Sequence, residues 1–205
     1  MDYTKLASKK IILKTVNALK ARNIEVVNVN NKAGALEKIK NLIPKGASVN
    51  NGSSTTLKEI GFVDYLKSDK HGWVNLHEAV LREKDPVKQA ELRNLSSFSE
   101  YYLGSVHALA QTGEMVIASA SGSQLPSLAN TAKNIILVVG TQKITATLSG
   151  AFKRLREYVY PLENERVKST GAAGTVLAKI LIMEQEPAFM GRKVRVILVN
   201  EKLGF

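Results

Sequence analysis

The sequence predicts an α/β layered fold with a mostly parallel central sheet and one antiparallel hairpin. Three observations carry that expectation. Segments of strand and helix character alternate through the first 70 residues, the order that lays helices over a parallel sheet. The run "NIILVVG" at 134–140 is continuously apolar and of strand length, the pattern of a strand buried on both faces. In "SVHALAQTGEMVIAS", two short apolar runs meet at Thr112-Gly113, as in a hairpin.

The elements follow in order. Residues 2–22 predict a helix, because Leu6, Ile12, Val16 and Leu19 recur with lysines between them. "IEVVNVN" is a β-branched strand, and "AGALEKIKNLI" puts Leu36, Ile39 and Leu42 on one helical face before Pro44 and Gly46 stop it. "ASVN" is a second short strand, and "TLKEIGFVDYLKS" turns helical again. After the helix "DPVKQAELRNLSS" and the hairpin, the buried strand leads to "TLSGAFKRLREYV", helical through Leu148, Phe152, Leu155 and Val159, and "KVRVILVN" is a closing strand. No repeat, low-complexity tract or long linker interrupts the chain, so one domain is expected over 1–205.

Composition removes several function classes. The chain has no cysteine, which excludes disulfides, thiol nucleophiles and Cys-ligated zinc or iron–sulfur clusters within it. Lysines break up the apolar positions of the N-terminus, unlike a signal peptide, and no apolar run approaches the roughly 20 residues that span a bilayer, so a cytoplasmic protein is expected. The net charge of +11 raises the question of nucleic acid, but the lysines are scattered over solvent faces and the aromatics are too few and dispersed for a stacking platform. Dispersed positive charge serves solubility or steers anionic small molecules.

The densest chemical signal is "NNGSSTT", residues 50–56, between a strand and a helix. Backbone N–H groups and hydroxyls converge on an anion in such a loop, which makes Asn51, Gly52, Ser53, Ser54, Thr55 and Thr56 candidate ligand contacts. A plain helix start competes with that reading, since Thr56-Leu57-Lys58-Glu59 fits a capping box. One cap needs one hydroxyl, and three more stand upstream. The loop matches neither the Walker pattern nor the dinucleotide fingerprint.

A second cluster, "ASASGSQLP", offers Ser119, Ser121, Gly122, Ser123 and Gln124 as an opposite wall, or simply a polar loop ended by Pro126. Thr141 and Lys143 follow the buried strand directly, where open α/β sheets bind ligands, and Lys143 is a candidate anion contact. Glu114, at the hairpin turn, is the candidate general base or nucleophilic carboxylate. "HEAVL" lacks the second histidine of H-E-x-x-H, His71 and His107 stand alone, and no G-x-S-x-G elbow occurs, so no metal and no cofactor is expected.

Taken together, "NNGSSTTLKEIGF", "YYLGSVHALAQTGEMVIASASGSQLP", "NIILVVGTQKI" with "AFKRLREYVYPLENERV", and "GRKVRVILVNEKLGF" resemble the LUD domain of lactate utilisation proteins, the LutC/YkgG-like family. The resemblance runs in order from about residue 48 to the end. It implies a fold similar to the NagB/RpiA/CoA-transferase group, whose members bind phosphorylated sugars or coenzyme A in loops past the strand ends. Ser53, Ser54, Thr55 and Thr56 would then hold a phosphate. It further implies a role in oxidising lactate to pyruvate beside iron–sulfur partner subunits. Many relatives place an acidic residue where this chain has Gln111, which shifts any carboxylate mechanism toward Glu114. One branch carries a cysteine cluster where this chain has "PLENERVKSTGAAGTVLAKILIM", so it is similar to the cysteine-free branch.

The expectation is therefore an accessory or substrate-binding component of lactate or organic-acid utilisation that holds an anionic small molecule: a phosphorylated metabolite, coenzyme A or an organic acid. Two alternatives stand beside it. One is an isomerase- or transferase-type enzyme on a sugar phosphate or acyl-CoA using Glu114; the other is a non-catalytic metabolite sensor.

Overall fold

The structure is a computed structural model that describes residues 2–68 and 70–205. Helix α1 (Lys9–Ala21) is capped by Ser8, whose hydroxyl accepts from the Ile11 N–H. The sequence pattern places this helix from residue 2; it begins later because the Ser8 cap satisfies its first free donors. Strand β1 (Glu25–Val29), helix α2 (Lys32–Leu42), capped by Asn31, and strand β2 (Ser48–Asn51) follow where the alternation puts them.

The single helix expected over 56–68 is two, α3 (Thr55–Glu59) and α4 (Phe62–Lys67). Gly61, at φ +78°, is the break, a conformation that costs glycine little and other residues more. Short strand β3 (Val74–Asn75) and helices α5 (Leu76–Arg82) and α6 (Pro86–Leu95) precede β4 (Tyr101–Gly104). The hairpin is β5 (Ala108–Ala110) and β6 (Met115–Ser119), paired antiparallel. Then come β7 (Asn134–Gly140), β8 (Ile144–Thr145) and helix α7 (Leu148–Arg154), which runs through a wider turn at 155–159 into α8 (Tyr160–Lys168). Strands β9 (Lys179–Met183) and β10 (Lys193–Val199) complete the order.

Two sheets form. The first is six-stranded and parallel throughout, in the order β1-β10-β7-β4-β2-β3; the second is mixed, in the order β8-β5-β6-β9. Strand β7 lies inside the first sheet and is buried on both faces, as its unbroken apolar run requires. Ile135, Leu137 and Val139 face α1 and the inner side of the second sheet, while Ile136 and Val138 face α2, α3 and α4. Ala108, Val116 and Ala118 turn the other way, onto α7 and the turn after it. Each of these apolar side chains contributes about 1.5–3 kcal/mol when fully buried, alanine less. No helix of the described residues is long and apolar enough to cross a membrane.

One consequence positions the site. Strands β2, β4 and β7 are parallel neighbours, so their carboxyl ends lie side by side. These ends deliver Gly52–Thr56, Ser105–His107 and Thr141–Lys143 to one edge of the sheet.

Candidate functional site

A cavity of about 320 Å³ opens at that edge. Gly52 to Thr56 form one wall; Ser119, Ala120, Ser121, Ser123 and Gln124 form another. Ser105, His107 and Lys143 are also part of its lining, as are Tyr160, Glu163 and Arg166 from α8 and Phe205. The volume suits a small metabolite.

The four consecutive hydroxyls divide their work. Ser54 is the cap of α3, accepting from the Leu57 N–H at 3.3 Å. The capping box placed on Thr56 and Glu59 does not form, because the helix starts two residues earlier than that box requires and Glu59 accepts the Gly204 N–H at 2.6 Å. Thr56 is buried and accepts from the Lys143 ammonium at 3.0 Å. Ser53 and Thr55 side chains make no hydrogen bond among the described residues and stand at the cavity wall. Gly52 lets this wall approach Tyr102 and Gln124: a Cβ there would sit 2.6 Å from the Tyr102 hydroxyl and 2.7 Å from Gln124 Oε1.

Lys143 is 3% exposed. Its Nζ donates to Thr56 Oγ1, to Ser105 Oγ at 3.1 Å and to the Val106 carbonyl at 3.1 Å, and Ser105 in turn donates to the Val138 carbonyl at 2.7 Å. All three acceptors are neutral, and no carboxylate lies within ion-pair distance of Nζ among the described residues. Burial, reinforced by the charge of Arg154 and opposed by Glu59, brings the ammonium down to about 7.

His107 Nδ1 accepts from the Ala118 N–H at 3.0 Å, which leaves the proton of the neutral ring on Nε2. Burial, then the charges of Lys143 and Arg154, push its pKa down to about 3, so the ring is neutral at physiological pH. Behind it, the fully buried Arg154 donates from Nη1 to the His107 carbonyl and rests between the rings of Tyr158 and Tyr3, 5.2 Å and 5.9 Å away. Its Nε and Nη2 have no partner among the described residues. Burial lowers its pKa to about 10, and it keeps its charge at neutral pH.

Of the residues singled out from sequence, the fold gathers Gly52, Ser53, Ser54, Thr55, Thr56, Ser119, Ser121, Ser123, Gln124 and Lys143 around this cavity. Asn51 is buried beneath it, its Nδ2 on the Gly52 carbonyl at 3.1 Å. Gly122 lines an adjoining cleft with Ser121, Ser123, Arg93 and Phe98. Thr141 is buried and does not line the cavity. Glu114 does not line it either: Arg22 donates to its carboxylate at 2.6 Å, and Thr112 donates through its hydroxyl.

Sequence reasoning missed Ser105 and His107. The strand "YYLG" that delivers them is four residues long, and its aromatic, apolar makeup was the available signal. Glu163 and Arg166, an i,i+3 pair held by two bonds of 2.6 and 2.7 Å, lie in the segment "AFKRLREYVYPLENERV", which carried the family resemblance but was not singled out as part of the site. His71 is structural, accepting the Trp73 N–H at 2.8 Å and approaching the Leu66 carbonyl at 2.9 Å. No group of three or more His, Cys, Asp or Glu side chains converges as metal ligands among the described residues.

Comparison with known proteins agrees with this architecture. A family model described as the LUD domain matches residues 12–199. Among solved structures, the chain is similar to the crystal structure of a DUF162 family protein from Deinococcus radiodurans, with 13% identity and a TM-score of 0.58 over 96% of this chain and 100% of that one. At that identity the likeness concerns the fold. No curated protein matches the chain.

Proposed function

This chain belongs to the LUD domain family, and from that premise we propose that it is an accessory or substrate-binding component of lactate or related organic-acid utilisation, holding an anionic small molecule in the cavity at the ends of β2, β4 and β7. One observation carries the binding half of the proposal. Lys143 lies buried at the cavity with three neutral partners and no counter-charge among the described residues, so an anionic ligand there would supply the charge that favours its ammonium form. The free hydroxyls of Ser53 and Thr55 and the Nε2–H of His107 supply further polar contacts there. The organic-acid half rests on the family. A chain without cysteine holds no cysteine-ligated cluster, so any such cluster in the role the family implies would belong to a partner subunit.

The test is a thermal-shift screen against lactate, pyruvate, sugar phosphates and coenzyme A, on the wild type and on Lys143→Met. A bound anion raises the melting temperature of the wild type by mass action and leaves the variant unmoved. If no anion in the screen shifts the wild type, the cavity is not an anion site.

A further inference from the structure

The cavity has two unlike walls, and they come from different layers of the fold. Its polar groups stand at the carboxyl edge of the six-stranded sheet: Lys143 with Thr56 and Ser105, and the hydroxyls of Ser53 and Thr55. Its apolar groups stand on the outer side of the second sheet, where Leu155 and Val159 of the turn after α7 pack with Ala118, Leu177 and Phe205 in one cluster. Leu155 and Val159 are sealed, but Leu177 and Phe205 are only half-buried, and Val176, 63% exposed, stands at the cavity beside them. Apolar side chains left open in this way gain free energy when an apolar group covers them. The other charges of the lining, Glu163 and Arg166, hold each other through two bonds, which leaves Lys143 to draw an anionic group to the polar wall. Size points the same way. Lactate has six heavy atoms and at interior packing density occupies roughly 120 Å³, little more than a third of the cavity's volume of about 320 Å³.

We propose that the cavity takes an organic acid with an apolar tail, its carboxylate at Lys143 and its tail along Leu177, Phe205 and Val176. The inference rests on the reading of the cavity as an anion site and adds the part of the ligand that faces away from the charge. The two walls set the orientation, because the reverse pose would desolvate a carboxylate against Leu177 and Phe205 and press the tail on the hydroxyls of Ser53 and Thr55. Lactate presents a single methyl group to the apolar wall and leaves most of it wet. An alkyl chain of about four to six carbons or an aromatic ring fills the space that lactate leaves. Such a division, an apolar body held by a few convergent polar groups, is the ordinary make-up of a metabolite site.

Isothermal titration with lactate, 2-hydroxybutanoate, 2-hydroxyhexanoate and 3-phenyllactate reads the apolar wall. Affinity should rise about fourfold per methylene from lactate to 2-hydroxyhexanoate. The tighter of 2-hydroxyhexanoate and 3-phenyllactate then tells whether the tail is a chain or a ring. Val176→Asn and Phe205→Ala should each cut that gain about twofold or more per methylene; Val176 is exposed, so its replacement leaves the fold intact even where that of Phe205 does not. The diol 1,2-hexanediol keeps the tail, lacks the carboxylate, and should bind about tenfold or more weakly than 2-hydroxyhexanoate. If neither 2-hydroxyhexanoate nor 3-phenyllactate binds more tightly than lactate, or if both variants keep the full gain, the inference falls and the anion site stands. The diol binding as tightly as the acid overturns the anion site and the inference with it. Binding of no acid at all overturns both.

Discussion

The ammonium of Lys143 stands 3.0 Å from the hydroxyl of Thr56, a residue 87 positions earlier in the chain. Thr56 reaches it from the first turn of α3, and Lys143 arrives from the end of β7. The contact joins the hydroxyl loop to the buried cation, and several measurable consequences follow from it and its neighbours.

Lys143 makes stability depend on pH in an unusual window. Its folded pKa, about 7, lies below its ordinary value of 10.5, so between these values the unfolded chain binds more protons than the folded one. Stability therefore rises with pH across that window. Urea unfolding midpoints of the wild type minus those of Lys143→Met should climb from about pH 7 to 10; a flat difference would place the ammonium in a more polar setting than the structure gives it.

His107 behaves in the same sense at lower pH. Burial first, and then Lys143 and Arg154, hold its folded pKa at about 3, below its ordinary 6.5, and the stability it contributes by staying neutral is lost as pH falls between those values. Nitrogen chemical shifts should report the Nε2–H tautomer and no titration of this ring at about pH 5. A ring protonated at that pH would contradict the contact between Nδ1 and the Ala118 N–H.

Gly204 crosses directly above the Lys143 contact. At φ +60°, a Cβ there would fall 2.5 Å from Thr56 Oγ1 and 3.3 Å from Lys143 Nζ. Gly204→Ala should destabilise the protein by more than the about 1–2 kcal/mol of a left-handed alanine, and weaken anion binding. Gly171→Ala is the control, since its φ is +88° but no atom lies within 4 Å of its Cβ position. Equal losses at the two sites, measured by chemical denaturation, would show that the segment over Lys143 yields freely.

Arg22 and Glu114 form a separate partly buried pair, 2.6 Å apart, which ties the end of α1 to the hairpin. Burial pushes the Glu114 carboxyl up, but hydrogen bonds from Thr112 and its own backbone N–H, with the charge and donor of Arg22, outweigh it and hold the pKa below the ordinary value. Its stability contribution is present above the unfolded value and lost as pH falls through the folded one. Glu114→Ala should cost about 1–3 kcal/mol at neutral pH, less in acid, and leave anion binding at the cavity unchanged. A loss of binding in this variant would return Glu114 to the site.

Much of the layering was legible because it is written in local periodicity. The unbroken apolar run of β7, the spaced apolar face of α2 and the Thr112-Gly113 turn each specify their element without reference to distant residues. Two short strands were not legible: β8 has two residues, too few for a period to declare itself, and "YYLG" in β4 shows no apolar–polar alternation. The helix break at Gly61 was missed because apolar spacing continues across it while the backbone turns.

The candidate site divides along the same line. By itself, the sequence determined two hydroxyl- and serine-rich loops and a lysine after a buried strand, since residue type and position next to a strand end are local properties. Only the tertiary structure decided that Thr56, Ser105 and Lys143 share one cluster, that His107 lines the same cavity, and that Glu114 belongs with Arg22. The physical reason is the parallel sheet: β2, β4 and β7 are neighbours in space but far apart in the chain, and the burial that pairs them, together with the missing counter-charge at Lys143, exists only once they have come together.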